Sequence, residues 1–218
     1  MRQETMERIQ REKIIAILRG LGRMHCGEVA EALYAGGIRL LEIAFDQTSE
    51  ETIYKTTEVI RAVSRQLDGR VLVGAGTVLT PEQVELAAAA GAHFIISPDV
   101  NKAVIRRTRE MELVSIPGVM TPTEMMAAHY AGADIIKVFP AGELGSAYIK
   151  AIRAPLSHLR LMAVGGIHEQ NIREFLAAGV MGVGVGGNLV NRTWIEAGAY
   201  EKITETAQAL VDSVRTAN

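Results

Sequence analysis

The sequence predicts an α/β fold, a (β/α)8 TIM barrel with an extra N-terminal helix. Its apolar runs are four to six residues long and mostly continuous, which is typical of parallel strands buried on both faces. A unit of strand, loop, helix and glycine recurs about eight times, and the 218 residues exceed the lower limit of about 200 for such a barrel. An open doubly wound sheet is the competing architecture. The regular spacing, with no linker or shift in composition, favours the closed barrel and a single domain over residues 1–218.

The strands are predicted from the apolar runs in chain order. They cover residues 14–18, 40–44, 71–74, 94–97, 113–116, 135–139, 159–164 and 182–185.

The helical segments carry start and stop signals. Residues 1–13 form a helix that caps the bottom of the barrel, and further helices cover residues 27–35, 49–65 and 81–90. Thr80 before Pro81 is a helix start, and Thr121 stands at capping-box spacing from Glu124. Four glycines are predicted to end helices in the left-handed conformation: Gly36, Gly91, Gly132 and Gly179.

Composition excludes several functions. The net charge of −2, from 23 basic and 25 acidic residues, gives no electrostatic drive toward nucleic acid or a membrane surface. The N-terminus has no apolar signal region, and no apolar run approaches the ~20 residues of a membrane helix. The single cysteine, Cys26, fits a reducing compartment and is predicted to be a small buried residue rather than a nucleophile. We therefore expect a cytoplasmic protein.

Two charged residues stand inside apolar strands. Lys137 lies on the sixth predicted strand, where burial would lower the pKa of its amine and allow it to attack a ketone. Glu42 lies on the second, where burial would raise its pKa and suit it to proton transfer. The alternative is structural, with Glu42 paired to Lys137 or Arg19, although a buried ion pair is weak evidence for stability.

Other candidate residues follow the predicted strands, at the end where barrels carry their function. Arg19 is either a clamp for a carboxylate or phosphate or an ordinary rim arginine. Thr77, after two glycines, offers either a hydroxyl at the mouth or a helix cap. Glycine pairs after strands seven and eight suit a phosphate site built from backbone N–H groups.

No histidine pattern or cysteine cluster predicts a metal site, and no motif predicts a cofactor, so we expect neither. A buried lysine, a buried carboxylate, an arginine, a hydroxyl and a glycine phosphate cup together indicate imine chemistry on a phosphorylated keto compound.

At these residues the sequence resembles a known family, the 2-keto-3-deoxy-6-phosphogluconate (KDPG) and 4-hydroxy-2-oxoglutarate (KHG) aldolases. The similarity extends from about Lys13 to the end of the chain. Its segments are AILRG (16–20), LEI (41–43), VGAGTV (73–78), ISP (96–98), IPGVMTPTE (116–124), IKVFP (136–140) and GGI (165–167).

The resemblance implies a class I aldolase that is usually a homotrimer. It assigns the Schiff base to Lys137, general acid–base transfer to Glu42, and the pyruvate carboxylate or neighbouring oxygens to Arg19 and Thr77. Gly166, Gly187 and Asn188 would hold the distal phosphate. The substrate-binding group further includes Pro98, Phe139, Val164, Gly165 and Gly186.

Two positions depart from the family pattern. Some members carry an anion-binding arginine in the loop after the strand-two glutamate, where this chain has Asp46, so Arg19 would take that role. Gluconate-type members often have Pro-Thr before the Gly-Gly pair. Ala163 and Val164 stand there in this chain, as in relatives that act on the galactonate epimer (KDPGal).

The predicted reaction is cleavage of a 2-keto-3-deoxy-6-phospho sugar acid to pyruvate and glyceraldehyde 3-phosphate. KHG, giving pyruvate and glyoxylate, is a further candidate substrate, and KDPGal is the alternative main substrate. Two alternative functions would also use the glycine phosphate cup. An isomerase or epimerase would use Lys137 or Glu42 only as acid or base, and a phosphosugar sensor would bind without turnover.

Overall fold

The computed structural model describes residues 1–216, and they form a ring of parallel strands surrounded by helices. Every strand pair is parallel, and the order around the sheet is β5-β4-β3-β2-β1-β9-β8-β7-β6. This confirms the predicted barrel. The strands are β1 Ile14–Arg19, β2 Leu40–Ala44, β3 Leu72–Gly76, β4 Phe94–Ile96, β5 Val114–Ile116, β6 Gly118–Val119, β7 Ile136–Val138, β8 Leu161–Val164 and β9 Gly182–Val185.

Helices connect successive strands on the outside of the ring. They are α1 Arg2–Glu12, α2 Arg23–Ala35, α3 Glu50–Gln66, α4 Pro81–Ala89, α5 Lys102–Glu110, α6 Pro122–Ala131, α7 Ala141–Arg153, α8 Ile172–Ala177, α9 Arg192–Glu196 and α10 Tyr200–Arg215. No helix within residues 1–216 is both long and apolar enough to cross a membrane.

The ring closes at its fifth strand, which Pro117 divides into β5 and β6. The first half pairs with β4 and the second half pairs with β7. Hydrogen bonds continue across the division, because Ile135 N donates to Ser115 O at 3.2 Å and Lys137 N donates to Pro117 O at 3.0 Å. The nine assigned strands are therefore the eight strands of the predicted barrel.

Alternation along the strands divides the core into two clusters. On β1, Ile14, Ala16 and Leu18 pack outward against the helices. Ile15 and Ile17 point inward and join apolar side chains of the other strands. Residues in register with Ile15 and Ile17 therefore point inward. Glu42 on β2 is in register with Ile17, so it lies on the inward face.

The N-terminal helix closes the end of the barrel at which the strands begin. Met6 and Ile9 of α1 are buried in the inner cluster. Arg2 fixes the helix to the loop before β7 through a 3.0 Å ion pair with Asp134. The predicted bottom cap is confirmed.

Local signals were correct at most helix ends. Ser49 and Thr121 both form capping boxes, with Thr52 and Glu124 respectively. Gly36 is a correction, because it caps α2 with φ −76° and it is Gly37 that takes the left-handed conformation, with φ 94°. A side chain at Gly36 would overlap Ala207 and the Thr204 carbonyl of α10, so close packing and not conformation requires that glycine.

Several strand and helix bounds differ from the predicted bounds by a few residues. The third strand continues to Gly76 because Gly76 still pairs with Ala44, beyond the predicted end at residue 74. The strand predicted at 135–139 shortens to Ile136–Val138, which leaves Phe139 outside the ladder. Helix α2 starts at Arg23, four residues before the prediction.

Candidate active site

The predicted site residues lie at the ends of the strands that face away from α1. Glu42 and Lys137 lie within β2 and β7, and Arg19 and Val164 end β1 and β8. The remaining residues follow strands in the chain: Thr77, Pro98, Phe139, Gly165, Gly166, Gly186, Gly187 and Asn188.

Among residues 1–216, Lys137 and Glu42 are the charged residues that are buried, and both lie on strands of the barrel. Lys137 is 6% exposed and Glu42 is 1% exposed. Lys137 is in register with Gly118 and Met162, whereas Glu42 is in register with Ile17 and Gly74. The in-register neighbours of both groups are therefore apolar residues or glycines.

Burial shifts both pKa values toward the neutral forms. The pKa of Lys137 is lowered, mainly because burial removes water from the ammonium and also because Arg19 repels it, while Glu42 opposes the shift. The pKa of Glu42 is raised, mainly by burial, and the charges of Lys137 and Arg19 oppose that shift. A neutral amine can act as a nucleophile, and a carboxyl with a raised pKa can donate and accept protons near neutral pH.

Glu42 is not held by a structural ion pair. No salt bridge joins it to Lys137 or Arg19 within residues 1–216, and its Oε2 is buried without a hydrogen-bond partner there. Gly76 makes room for the carboxyl, because a Cβ at that position would lie 1.7 Å from Glu42 Oε1. The structural alternative for Glu42, a pair with Lys137 or Arg19, is therefore not observed.

Arg19 and Thr77 meet at the mouth. Arg19 Nη2 donates to Thr77 Oγ1 at 3.2 Å. Thr77 has a φ of 55°, which is unfavourable for a β-branched residue. The structure therefore presents a guanidinium and a hydroxyl side by side, a combination that can bind a carboxylate.

The glycine pairs after β8 and β9 form an open cup. Gly165 and Gly166 have φ values of 89° and 73°, and Gly142 of α7 packs directly against them. Asn188 Nδ2 donates to Ile167 O at 3.0 Å and so joins the two loops. No hydrogen bond formed inside the described chain uses the backbone N–H of Gly166, Gly187 or Asn188. Free N–H groups around a glycine cup suit an anion.

Phe139 and Val164 form apolar walls of the site. The ring of Phe139 is 42% exposed, and its centroid lies 4.9 Å from Lys137 Nζ. A Cβ at Gly165 would lie 3.0 Å from that ring. Val164 is buried against Gly184, which makes it part of the barrel interior.

Pro98 and Gly186, two of the predicted substrate-binding residues, make few contacts with the other predicted site residues. Pro98 is exposed, and its carbonyl packs against Gly118 rather than against another predicted site residue. Gly186 accepts hydrogen bonds from Leu189 N and Val190 N, which begins the turn that presents Gly187.

Other chemistries have less support. Burial raises the pKa of the Cys26 thiol to about 12, so it is not a thiolate. Among residues 1–216, no three His, Cys, Asp or Glu side chains are grouped so that they could hold a metal ion.

Sequence reasoning missed residues that hold the loops. Asn171 Nδ2 donates to Gly166 O at 2.9 Å and fixes the glycine pair. Gln47 and Gln83 hold the loop of Thr77. Gln83 stands three residues after the Thr80 helix cap, a position that could have drawn attention, whereas no sequence signal points to Gln47.

Comparison with known proteins gives a consistent result. Residues 5–206 match the family described as "Aldolase: KDPG and KHG aldolase". A probable 2-dehydro-3-deoxy-6-phosphogalactonate aldolase of Rhizobium meliloti is 40% identical over 177 residues, which cover 81% of each chain. The KHG/KDPG aldolase of Escherichia coli is 35% identical over 193 residues, covering 88% of this chain and 87% of the relative.

A solved structure is similar over the same length. The KDPG aldolase of Legionella pneumophila, with pyruvate captured at low pH as a covalent carbinolamine intermediate, aligns with a TM-score of 0.81. It is 30% identical and the alignment covers 91% of this chain and 94% of that one.

Proposed function

Because the chain belongs to the KDPG and KHG aldolase family, and is therefore a lyase, we propose that it cleaves a 2-keto-3-deoxy-6-phospho sugar acid to pyruvate and glyceraldehyde 3-phosphate. The observation that carries this proposal is Lys137, a buried amine with a lowered pKa beside a buried carboxyl. Class I aldolases need such an amine because only its neutral form attacks a ketone. Family membership also favours an aldolase over the isomerase and the sensor.

In the first half of the reaction, the Lys137 Nζ lone pair attacks the C2 ketone and forms a carbinolamine. Glu42 supplies the proton with which the C2 oxygen leaves as water, and a protonated imine results. The closeness of Phe139 and the burial of Lys137 limit water around the reacting centre. A positively charged imine is an electron sink for the adjacent carbon–carbon bond.

In the second half, the Glu42 carboxylate left by the loss of water accepts the proton of the C4 hydroxyl, and the C3–C4 bond breaks. The bonding electrons move to the imine and give an enamine, while C4 leaves as the aldehyde. Glu42 protonates the enamine at C3, and water then hydrolyses the imine to release pyruvate and regenerate the Lys137 amine. These proton transfers all use one carboxyl, Glu42, whose pKa is raised by burial.

The two ends of the substrate have separate binding groups in this proposal. Arg19 and Thr77 bind the carboxylate or neighbouring oxygens, and their contact at the mouth supports this role. Gly166, Gly187 and Asn188 bind the phosphate through backbone groups, with Gly165 and Gly186 shaping the loops. Pro98, Phe139 and Val164 complete the walls.

The configuration at C4 separates the two main candidate substrates. Val164, at the end of β8, presents an apolar side chain where gluconate-type members often have a hydroxyl. The KDPGal activity is therefore the alternative, and it is also the activity named for the Rhizobium meliloti relative. The unphosphorylated KHG is a further candidate, as in the name of the Escherichia coli relative.

A direct test supplies both C4 epimers and KHG separately and detects the released pyruvate with lactate dehydrogenase. We expect cleavage of at least one phosphorylated epimer, and the ratio of kcat/KM values identifies the main substrate. The control is Lys137→Met, which keeps the length of the side chain without the amine. A folded wild-type protein that releases no pyruvate from any of the three would overturn the proposal.

We further propose that the enzyme is a cytoplasmic homotrimer. The support is the single cysteine, which fits a reducing compartment, and the usual assembly implied by the family resemblance. Analytical ultracentrifugation measures the assembly directly.

A further inference from the structure

The residue that the proposed function places against the substrate carboxylate is conformationally strained. Thr77 has a φ of 55°, in a region where β-branched side chains are rare. Such a conformation persists only where the surrounding structure enforces it. The groups that enforce it therefore determine where the Thr77 hydroxyl points.

A pair of glutamines, Gln47 in the loop after β2 and Gln83 in helix α4, holds the loop of Thr77. Gln47 Nε2 donates to the Thr77 carbonyl at 2.6 Å. Gln83 Nε2 donates to Gln47 Oε1 at 2.8 Å, and Gln83 Oε1 accepts from Leu79 N at 2.8 Å. Gln83 is only 5% exposed, so its amide is fixed by these partners. The loop after β2, the loop after β3 and helix α4 are thereby joined around the strained residue.

The loop after β3 is held by side chains along its length. The Val78 carbonyl accepts from Ser97 Oγ at 2.8 Å, and the Leu79 carbonyl accepts from Asn101 Nδ2 at 3.0 Å. With Gln47 on Thr77, three successive carbonyls each receive a side-chain donor. Gln47 is the one donor of the three that reaches the strained residue itself.

Gln47 is itself presented by a fixed segment. Asp46 Oδ1 accepts from Thr48 N at 3.0 Å, and the Asp46 carbonyl accepts from Thr52 Oγ1 at 2.9 Å. The Asp46 carboxylate is thereby occupied locally, and its charge is of the wrong sign for an anionic substrate. The segment after β2 consequently acts on the site through Gln47.

We propose that Gln47 and Gln83 are positioning residues that hold Thr77 in its left-handed conformation and so direct its hydroxyl, with Arg19, toward the substrate carboxylate. This inference rests on the proposed function. It predicts a defect in binding the carboxylate half of the substrate and not in the chemistry of Lys137 or Glu42. Within residues 1–216, neither glutamine makes a hydrogen bond to either of those two residues.

The test is Gln47→Ala, measured by reductive trapping of pyruvate on Lys137 across a range of pyruvate concentrations. We expect the half-saturating pyruvate concentration to rise roughly tenfold, which corresponds to the loss of one oriented hydrogen bond, while the rate of trapping at saturating pyruvate stays within about twofold of wild type. Gln66→Ala is the matched control, because Gln66 makes comparable amide contacts, to the Gly27 carbonyl and Glu31, on the outer face. We expect no change for the control.

A double variant separates positioning from general structural loss. If Gln47 acts through Thr77, adding Gln47→Ala to Thr77→Ala should leave the half-saturating concentration unchanged from Thr77→Ala alone. Full additivity of the two effects would overturn the inference. So would an unchanged half-saturating concentration in Gln47→Ala, provided that wild type forms the adduct. Absence of the adduct in wild type would instead overturn the proposed function.

Discussion

At the residue scale, reactivity depends on how the surroundings of Lys137 change the pKa of its amine. Removal from water lowers that pKa, and the Arg19 cation lowers it further. Glu42 acts in the opposite direction when it is ionised, but burial raises its own pKa and favours its neutral form. Burial therefore favours the neutral amine of Lys137 and the neutral carboxyl of Glu42.

Replacing Glu42 with glutamine tests its proton transfer. Glu42→Gln keeps the shape and leaves the amine in place, so substrate should still bind. We expect kcat to fall by about 10²–10⁴, the usual contribution of a positioned acid–base group, with KM changed by only a few fold. Steady-state kinetics on the cleaved epimer measures both constants. Wild-type turnover in this variant would remove Glu42 from the mechanism.

Replacing Arg19 tests the charge coupling. Arg19→Gln removes a cation that lowers the pKa of Lys137, so that pKa should rise. A higher pKa leaves less neutral amine at a given pH, and the acid limb of adduct formation should move to higher pH. The rate of reductive trapping at saturating pyruvate, followed against pH, measures this shift.

A second variant should shift the pH profile in the opposite direction. Glu42→Gln removes the group that raises the pKa of Lys137, so the acid limb of adduct formation in this variant should move to lower pH. Coincident profiles for wild type and Arg19→Gln would contradict the coupling.

At the element scale, buried strands and capped helices could be predicted from the sequence because their signals are local. Continuous apolar runs marked the eight strands, and Thr80 and Thr121 marked helix starts that the structure contains. Contacts between distant segments gave no local signal. The division of the fifth strand at Pro117, the packing of Gly36 against α10 and the Gln47–Gln83 pair all depend on such contacts.

The candidate site was predictable for a similar reason. Lys137 and Glu42 were visible because each is a charge within an apolar run, and Arg19 and Thr77 because each directly follows such a run. Asn171 acts through a backbone carbonyl of its own loop and Gln47 through one of the neighbouring loop, and amides in loops are common. Only the folded geometry distinguishes them.

The loop after β9 allows a separate test of the phosphate cup. A Cβ at Gly187 would meet no atom within 4 Å, so Gly187→Ala should leave the thermal midpoint unchanged. The added methyl group should obstruct the approach of a phosphate to the backbone, and KM for the phosphorylated substrate should rise about tenfold. Pyruvate trapping on Lys137 should be unaffected, since pyruvate carries no phosphate. Equal KM values would place the phosphate elsewhere.

Helix α1 should stabilise the barrel through its buried face. Ile9 is fully buried in the inner cluster, so Ile9→Ala should lower the free energy of unfolding by about 2–5 kcal/mol. Gln10→Ala, on the exposed side of the same helix, is the control. Urea unfolding of the three proteins gives the comparison, and equal midpoints would show that α1 is not part of the folded core.

At the scale of the whole molecule, the residues that stabilise the barrel and the residues that carry the chemistry lie at opposite ends. The inner cluster and α1 close one end, and the reactive groups and loops occupy the other. Lys137 is buried on its strand at the end that carries these loops. Its removal from water strengthens the electrostatic effects on which imine formation depends.

If the proposed mechanism is correct, Lys137 forms a covalent imine with a keto acid. Borohydride reduction of the protein in the presence of pyruvate, followed by peptide mass mapping, detects this imine. We expect a pyruvate-derived adduct on Lys137 and on no other lysine. A folded protein that carries no adduct after reduction, or carries it on a different lysine, would show that Lys137 is not the Schiff-base residue.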